Sequence, residues 1–384
     1  MAAHPRRENH EVPCRAGVPG RTLLSAPPHP FQEATTVTLT DDEHTAHRHD
    51  EGAAAFQALA TAAAGWGALR AAVELRLPDL LPDAPTAVPD LAALAGVAPT
   101  RLAQLVAVLA DVGVLALDER AHVRHTPLSR ALRSTDGLAL TRLLTAGWAD
   151  EAWRGLAEGV RTDTSPLELV HGRPLFDLLA ADPAAAAVFH DAVATGPGDP
   201  FDEAIRSALD LTGAARVVDV GGGRGRLLAA LLREHPVLSG VLFDLPEAVR
   251  DAVPELRGDD RVQIRAGDLF ADRVGAADVY VLRTVLHVLD DAQAVRALAN
   301  VRADAPAHAR VVVVEALSDD EANRTYAAHS SLRLFVLCGG RERSTAEFAE
   351  LFDRAGLELR SVTPTGTPYH LLEGAPRLSP RTDG

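Results

Sequence analysis

The chain of 384 residues contains no lysine, so all 38 of its lysine-plus-arginine positions are arginine. That absence marks a coding bias before it marks a function. Aromatic residues are also scarce, at 4%, and the 47% hydrophobic content is carried by alanine, leucine and valine, ample for a full core. The two cysteines, Cys14 and Cys338, form neither a disulfide framework nor a zinc-ligand spacing, and a reducing cytoplasm fits best. Positive charge is short as well. A net charge of −15 lacks the basic footprint that nucleic acid or an anionic membrane demands. Residues 1–25 hold no apolar h-region, so no secretion signal is expected. The longest uncharged run, Gly52–Leu69, falls short of the roughly 20 strongly apolar residues of a membrane span. It is rich in alanine and glycine, contains Gln57 and runs into Arg70, so a helix buried in a subunit interface is expected.

Residues 1–50 mix proline, histidine and acid without periodicity and read as a disordered extension. His44, His47 and His49 lie close together there, but a metal site needs a rigid frame that this composition does not supply. Over 51–138 the pattern is helix to Leu77, a short helix capped near Asp90, a turn at Gly96–Pro99, a helix from about Thr100, and a hairpin around Asp118–Arg120. This is a winged-helix pattern. Its candidate recognition helix, "TRLAQLVAVLADVG", offers only Arg101 and Gln104 to a nucleic acid and suits dimerisation better. Residues 139–211 read as helices. From 212 to 375, apolar β-branched runs alternate with amphipathic helices, which predicts a parallel doubly wound α/β sheet, followed by a flexible tail over 376–384.

The stretch "VVDVGGGRGR" at 217–226 places glycines at the first strand-to-helix turn, where open α/β sheets bind ligands. No register of it satisfies the dinucleotide spacing G-x-G-x-x-G/A, and the chain has no P-loop lysine. A second strand ends at Asp244, placed to accept hydrogen bonds from ribose hydroxyls about twenty residues after the glycines. A third ends in Asp268, Leu269 and Phe270, an acid for an adenine amino group beside apolar side chains. Gly221 and Gly223, Asp244 and the 268–270 group describe an adenosine ligand without pyrophosphate, and S-adenosylmethionine fits that description.

In this order, "VVDVGGGRGRLLAALLREHPVLSGVLFDLP", "GDLF", "DVYVLRTVLHVLDD", "VVVVEAL" and "GGRERSTAEF" resemble the S-adenosylmethionine-dependent O-methyltransferases of plant phenolics and bacterial aromatic polyketides. The resemblance covers about residues 51–375. It implies a Rossmann-like class I methyltransferase domain behind a mainly α-helical winged-helix N-terminal dimerisation domain, and a homodimer acting on an aromatic or polyketide-type small molecule. It also implies that His287 is the general base, that Glu315 and Glu342 orient its imidazole, and that Arg283, usually lysine in the plant enzymes, contacts the cofactor.

Such roles suit the chemistry. A sulfonium methyl is already electrophilic, so the protein must align the acceptor and remove its proton. The departures are His287-Val288-Leu289 in place of His-Asp-Trp, and Ser331 and Leu334 at positions that often carry an acid and a methionine. Two alternatives stay open: a cofactor-binding relative performing hydroxylation, decarboxylation or cyclisation, and a ligand-sensing winged-helix regulator. The sequence names neither the acceptor nor whether oxygen, nitrogen or carbon is methylated.

Overall fold

The computed structural model describes residues 41–135, 138–193 and 201–377. The chain divides into two units, Met1–Thr61 and Ala62–Gly384. The expected extension over 1–40 and the tail from 378 lie outside the described residues. Residues 41–50, expected within that extension, are instead the first turns of helix α1, Asp41–Glu74. They contain no glycine or proline, and a helix nucleated by the alanine run after them propagates back at little cost. In the first unit, Phe56 and Leu59 of α1 are exposed.

The second unit opens with the rest of α1, where Ala68 and Ala72 are buried and Trp66 is exposed. The helix ends at Glu74, and Arg76 takes a left-handed φ of 56° before a short helix restarts at Leu77–Leu80. Pro78 therefore begins a helix rather than stopping one, as the missing N–H of a first-turn proline permits.

Helices α2 (Val88–Ala95) and α3 (Pro99–Asp111) follow. Asp90 lies in the first turn of α2 and does not cap it. Leu102, Val106 and Leu109, spaced on one face of α3, point into the core of this region, and Gly65 lets α1 approach so closely that a Cβ there would lie 2.7 Å from Val112 Cγ1. Strands β1 (Thr86–Ala87), β2 (Leu115–Leu117) and β3 (His122–His125) form a small antiparallel sheet in the order β1-β3-β2. Asp118 Oδ1 closes the hairpin by accepting the N–H groups of Arg120 and His122, each at 2.9 Å. Winged helix and hairpin are thus present as expected.

Short helices fill 139–193, ending in α4 (Pro183–Val193), and α5 (Asp202–Ala208) leads to the main sheet. Its strands are β4 (Arg216–Val220), β5 (Ser239–Asp244), β6 (Val262–Ala266), β7 (Val279–Arg283), β8 (Arg310–Ala316), β9 (Leu357–Pro364) and β10 (Tyr369–Pro376). Helix α6 (Arg226–Glu234) crosses from β4 to β5, and α7 (Asp291–Asp304) from β7 to β8; α8 (Arg324–Cys338) and α9 (Thr345–Arg354) precede β9.

The seven strands run β6-β5-β4-β7-β8-β10-β9. Val218, Val220, Tyr280, Leu282, Val311 and Val313 pack on one face with α7 and α9. The alternate residues Val217, Val279, Val281, Val312 and Val314 pack on the other with α5 and α6. That two-sided burial explains the nearly continuous apolar runs of the sequence.

The expectation of a wholly parallel sheet needs one correction. β10 is antiparallel to both β8 and β9, because β9 and β10 are joined by only a few residues and a parallel return needs a crossover of a dozen or more. The chain builds outward from β4 to β6 and then returns to β7 on the other side of β4. The switch point therefore falls between the carboxyl ends of β4 and β7, which is where such sheets bind their ligands. Among the described residues, no single helix is long and apolar enough to cross a membrane.

Candidate active site

The glycine loop leaves β4 at the switch point. Gly221 has φ 69°, and a Cβ there would lie 2.6 Å from Val285 Cγ2, so the loop passes hard against the segment that follows β7. The N–H of Gly223 donates to Asp244 Oδ2 at 2.6 Å, and the N–H of Leu245 donates to Oδ1 at 2.6 Å. Loop and acid are thus brought together at the carboxyl ends of β4 and β5. Burial raises the Asp244 carboxyl, against the two N–H donors and the nearby His190 of α4. Asp191, next to His190, pairs with Arg224 of the glycine loop and, at 3.2 Å, with Arg142. Sequence reading missed His190 and Asp191, which look like ordinary polar residues in an alanine-rich helix.

Asp268 lies at the same edge, after β6, and is exposed. Its Oδ1 accepts the N–H of Phe270 at 2.8 Å, and its own N–H donates to Asp272 at 2.8 Å. Leu269 and Phe270 are half-buried against the main core, with the Arg296 guanidinium 5.4 Å from the centre of the Phe270 ring. Asp268, Leu269 and Phe270 thus share one loop at the carboxyl end of β6, the acid exposed beside two partly buried apolar side chains.

Arg283 ends β7 and is buried, with Nη1 3.2 Å from Asp202 Oδ1. Asp202 also takes the Nε–H of Arg206 at 2.7 Å. Beneath the glycine loop, Asp219 is fully buried. Burial, and then the charge of Asp244, push its carboxyl up to about 7, with Arg283 opposing. Neither Asp202 nor Asp219 was singled out from sequence, since a first-turn acid and a strand acid carry no mark of burial.

Four residues after Arg283 comes His287. The link between them is bent: Thr284, a β-branched residue, has φ 55°, in the left-handed region that such side chains avoid. A 3-10 turn at Leu286–Val288 then presents the histidine. Glu315, at the carboxyl end of β8 and fully buried, fixes that turn through Oε1, which accepts the N–H groups of Leu286 at 2.8 Å and His287 at 3.2 Å. Its other oxygen, Oε2, lies 3.3 Å from His287 Nδ1.

Glu342 Oε1 approaches the same nitrogen at 3.4 Å. It is no solvated charge between two arginines: its side chain is 2% exposed. Gly340 makes the approach possible, since a Cβ there would lie 2.1 Å from the carbonyl oxygen of His287, the same oxygen that accepts the N–H of Arg341 at 2.9 Å. Arg343, also buried, donates to the carbonyls of Leu286 at 2.7 Å and Leu289 at 2.6 Å. Ser330 Oγ donates to Glu342 Oε1 at 2.7 Å.

Burial alone would lower the His287 imidazole, but the charges of Glu315 and Glu342 outweigh it and raise its pKa to about 9. Burial raises Glu315 to about 7. The ligand atoms of this trio all lie within 4.8 Å of one another, close enough to enclose a cation. Both carboxylates converge on one imidazole nitrogen, however, which is the arrangement of a shared proton and an oriented ring.

Beside the trio, Phe201, Tyr326 and Tyr369 form an aromatic cluster with centroids 5.6–6.2 Å apart and the two tyrosine hydroxyls 3.0 Å apart. Tyr369 faces Ala316 across the sheet, next to the pairing of His370 with Glu315. In so aromatic-poor a chain, these three side chains were not recognisable as a group.

Residues 153–358 match the O-methyltransferase domain, and residues 58–135 match the O-methyltransferase dimerisation domain. The chain is similar to a phenazine O-methyltransferase of Lysobacter antibioticus, with 32% identity over 313 residues, covering 80% of this chain and 92% of that protein. Its fold is similar to that of the mitomycin 7-O-methyltransferase, with TM-score 0.79, 33% identity and coverage of 87% and 100%. It is also similar to an O-methyltransferase from neocarzinostatin biosynthesis solved with S-adenosylmethionine and 2-hydroxy-5-methyl naphthoic acid, with TM-score 0.70, 29% identity and coverage of 81% and 95%.

The chain belongs to the O-methyltransferase family, enzymes that take their methyl group from S-adenosylmethionine. Within it, the chain joins a helical dimerisation domain to a class I catalytic domain, as its bacterial relatives in natural-product biosynthesis do.

Proposed function

We propose that this protein transfers the methyl group of S-adenosylmethionine to a hydroxyl of an aromatic or polyketide-type natural product, with His287 as general base. The observation that carries the reading is His287 Nδ1 facing two buried carboxylates at the sheet's switch point. Gly221, Gly223 and Asp244 hold the ribose side of the cofactor, Leu269 and Phe270 flank its adenine, and Asp268 faces the adenine amino group. Arg283, anchored by Asp202, supports the methionine end. When bound, the cofactor supplies an electrophilic methyl carbon on a sulfonium.

With Nδ1–H committed to Glu315 and Glu342, Nε2 of the neutral imidazole is the atom that accepts the acceptor's proton. The acceptor oxygen forms its bond to the methyl carbon as the carbon–sulfur bond breaks and its electron pair passes to sulfur. The proton stays on His287 until it leaves to solvent. The two carboxylates stabilise the imidazolium so formed. The aromatic cluster of Phe201, Tyr326 and Tyr369 suits a flat, apolar acceptor.

The exposed apolar residues Phe56, Leu59 and Trp66 of α1 support a homodimer, and the free thiol of Cys338 accords with a cytoplasmic enzyme. The test is incubation with S-adenosylmethionine and a panel of hydroxylated naphthoic acids. A product heavier by one methylene, with the new methyl on oxygen, is expected. A product without that gain, or one methylated at nitrogen or carbon, contradicts the reading.

A further inference from the structure

The two acids that face His287 are held in different ways. Glu315 lies in a strand, and its Oε1 is occupied by two backbone N–H groups, so its place follows from the sheet. Glu342 lies in the irregular segment after α8, whose Arg341 and Arg343 are tied to the 286–289 turn, but among the described residues its carboxylate accepts no backbone N–H. Two neighbouring serines at the middle of α8 hold Glu342 itself. Ser331 Oγ accepts the backbone N–H of Glu342 at 3.2 Å, while Ser330 donates its hydroxyl to Oε1 at 2.7 Å. That Oε1 is the atom 3.4 Å from His287 Nδ1. Ser330 is itself buried, and its hydroxyl is the protein donor at the oxygen that meets the ring.

We propose that Ser330 is a positioning residue for methyl transfer: its hydroxyl fixes the Glu342 carboxylate against His287 Nδ1 and tunes how tightly the His287–Glu315–Glu342 trio holds its protons. The proposal rests on the reading of His287 as the base. Its physical basis is that a hydrogen bond donated to a carboxylate favours the charged form. The bond is strongest when the trio is fully deprotonated and Glu342 bears its whole charge. Once His287 is protonated that charge is partly neutralised, and the bond weakens.

Removing the hydroxyl therefore destabilises the deprotonated state most, and the trio binds its proton more tightly. The other charged or titratable groups near Glu342 and His287 are Glu315, Arg343, Tyr369 and the Cys338 thiol. The Ser330 substitutions touch none of them directly. A trio of this kind titrates as a unit, so the quantity read is its apparent midpoint.

The experiment is an NMR titration of the His287 imidazole in the full chain, paired with the pH dependence of methyl transfer. In Ser330→Ala the midpoint is expected to rise by about half to one pH unit, as loss of one charge-assisted hydrogen bond implies. Turnover at neutral pH should fall about three- to tenfold, recovering at higher pH. Ser330→Thr, which keeps the hydroxyl, should retain the parent midpoint. Ser330→Cys keeps the volume but offers only a weak donor, and should shift upward even if the alanine variant folds poorly.

A midpoint that stays in place or falls in the alanine and cysteine variants, with a native melting transition, overturns the proposal. A purely structural role would lower turnover at every pH alike. The titration reads the His287 proton without turnover, so it tests Ser330 even if His287 proves not to be the base.

Discussion

Glu315 binds His287 twice over: one of its carboxylate oxygens accepts the backbone N–H of His287 at 3.2 Å, and the other lies 3.3 Å from the ring nitrogen Nδ1. The same side chain therefore sets where the histidine stands and what charge its ring prefers. Replacing it by glutamine keeps an oxygen for the backbone while removing the charge. Glu315→Gln should fold, and it should lower the pH at which His287 loses its proton, which NMR titration of the imidazole can read. Turnover should fall about 10- to 1000-fold, because the imidazolium formed during transfer loses a buried counter-charge.

The rate of the parent enzyme should itself depend on pH in a stated direction. His287 is raised to about 9, so in the free enzyme at neutral pH it holds its proton and is not yet a base. Below that value, kcat/KM should rise roughly tenfold per pH unit and level off near pH 9. The sign for stability is the reverse. A group whose folded pKa is raised contributes fully below its unfolded value near 6.5 and loses that contribution as pH climbs through about 9. Thermal melts of the cofactor-free protein should show this contribution declining between pH 7 and 10. A flat rate profile over pH 6–9 would count against His287 as the base.

Asp244 offers a test of the cofactor site that is independent of the chemistry. Asp244→Asn should weaken S-adenosylmethionine binding about 10- to 100-fold by calorimetry, as expected for loss of a charged acceptor of ribose hydroxyls. An unchanged dissociation constant would remove Asp244 from the ribose contact. NAD should not bind the parent protein, since the glycine loop lacks the dinucleotide spacing.

Two glycines separate close packing from mere helix content. Gly340→Ala would place a Cβ 2.1 Å from the His287 carbonyl oxygen, backbone that has no room to move without shifting the histidine. It should lose most activity and melt at lower temperature. Gly67, in α1, has nothing within 4 Å of an added Cβ. Gly67→Ala should leave the melt unchanged or raise stability by about 0.5–1 kcal/mol, the helix preference of alanine.

Much of this was legible in the sequence because it depends on local order. Strands buried on both faces read as apolar runs, the glycine loop sits where a strand meets a helix, and Glu315 falls at a strand end. His287, expected at the end of its strand, stands in a 3-10 turn four residues past it. What was not legible depends on distant packing. Asp202 looks like any first-turn acid until Arg283, at the end of β7, is seen against it. Asp268, expected from the sequence beside adenine, also closes its own turn through Oδ1, a second task that only the folded loop shows. The helical start at Asp41 was hidden by a composition that favours solvent without forbidding helix. Ser331, marked from the sequence only as a departure, proves to hold the backbone N–H of Glu342.

The most direct test of the central claim is methyl transfer and cofactor binding measured on the same His287→Ala protein. The account predicts an S-adenosylmethionine dissociation constant close to the parent's, with single-turnover methyl transfer slowed about 100- to 10,000-fold. Methyl transfer at the parent rate in that variant would contradict it.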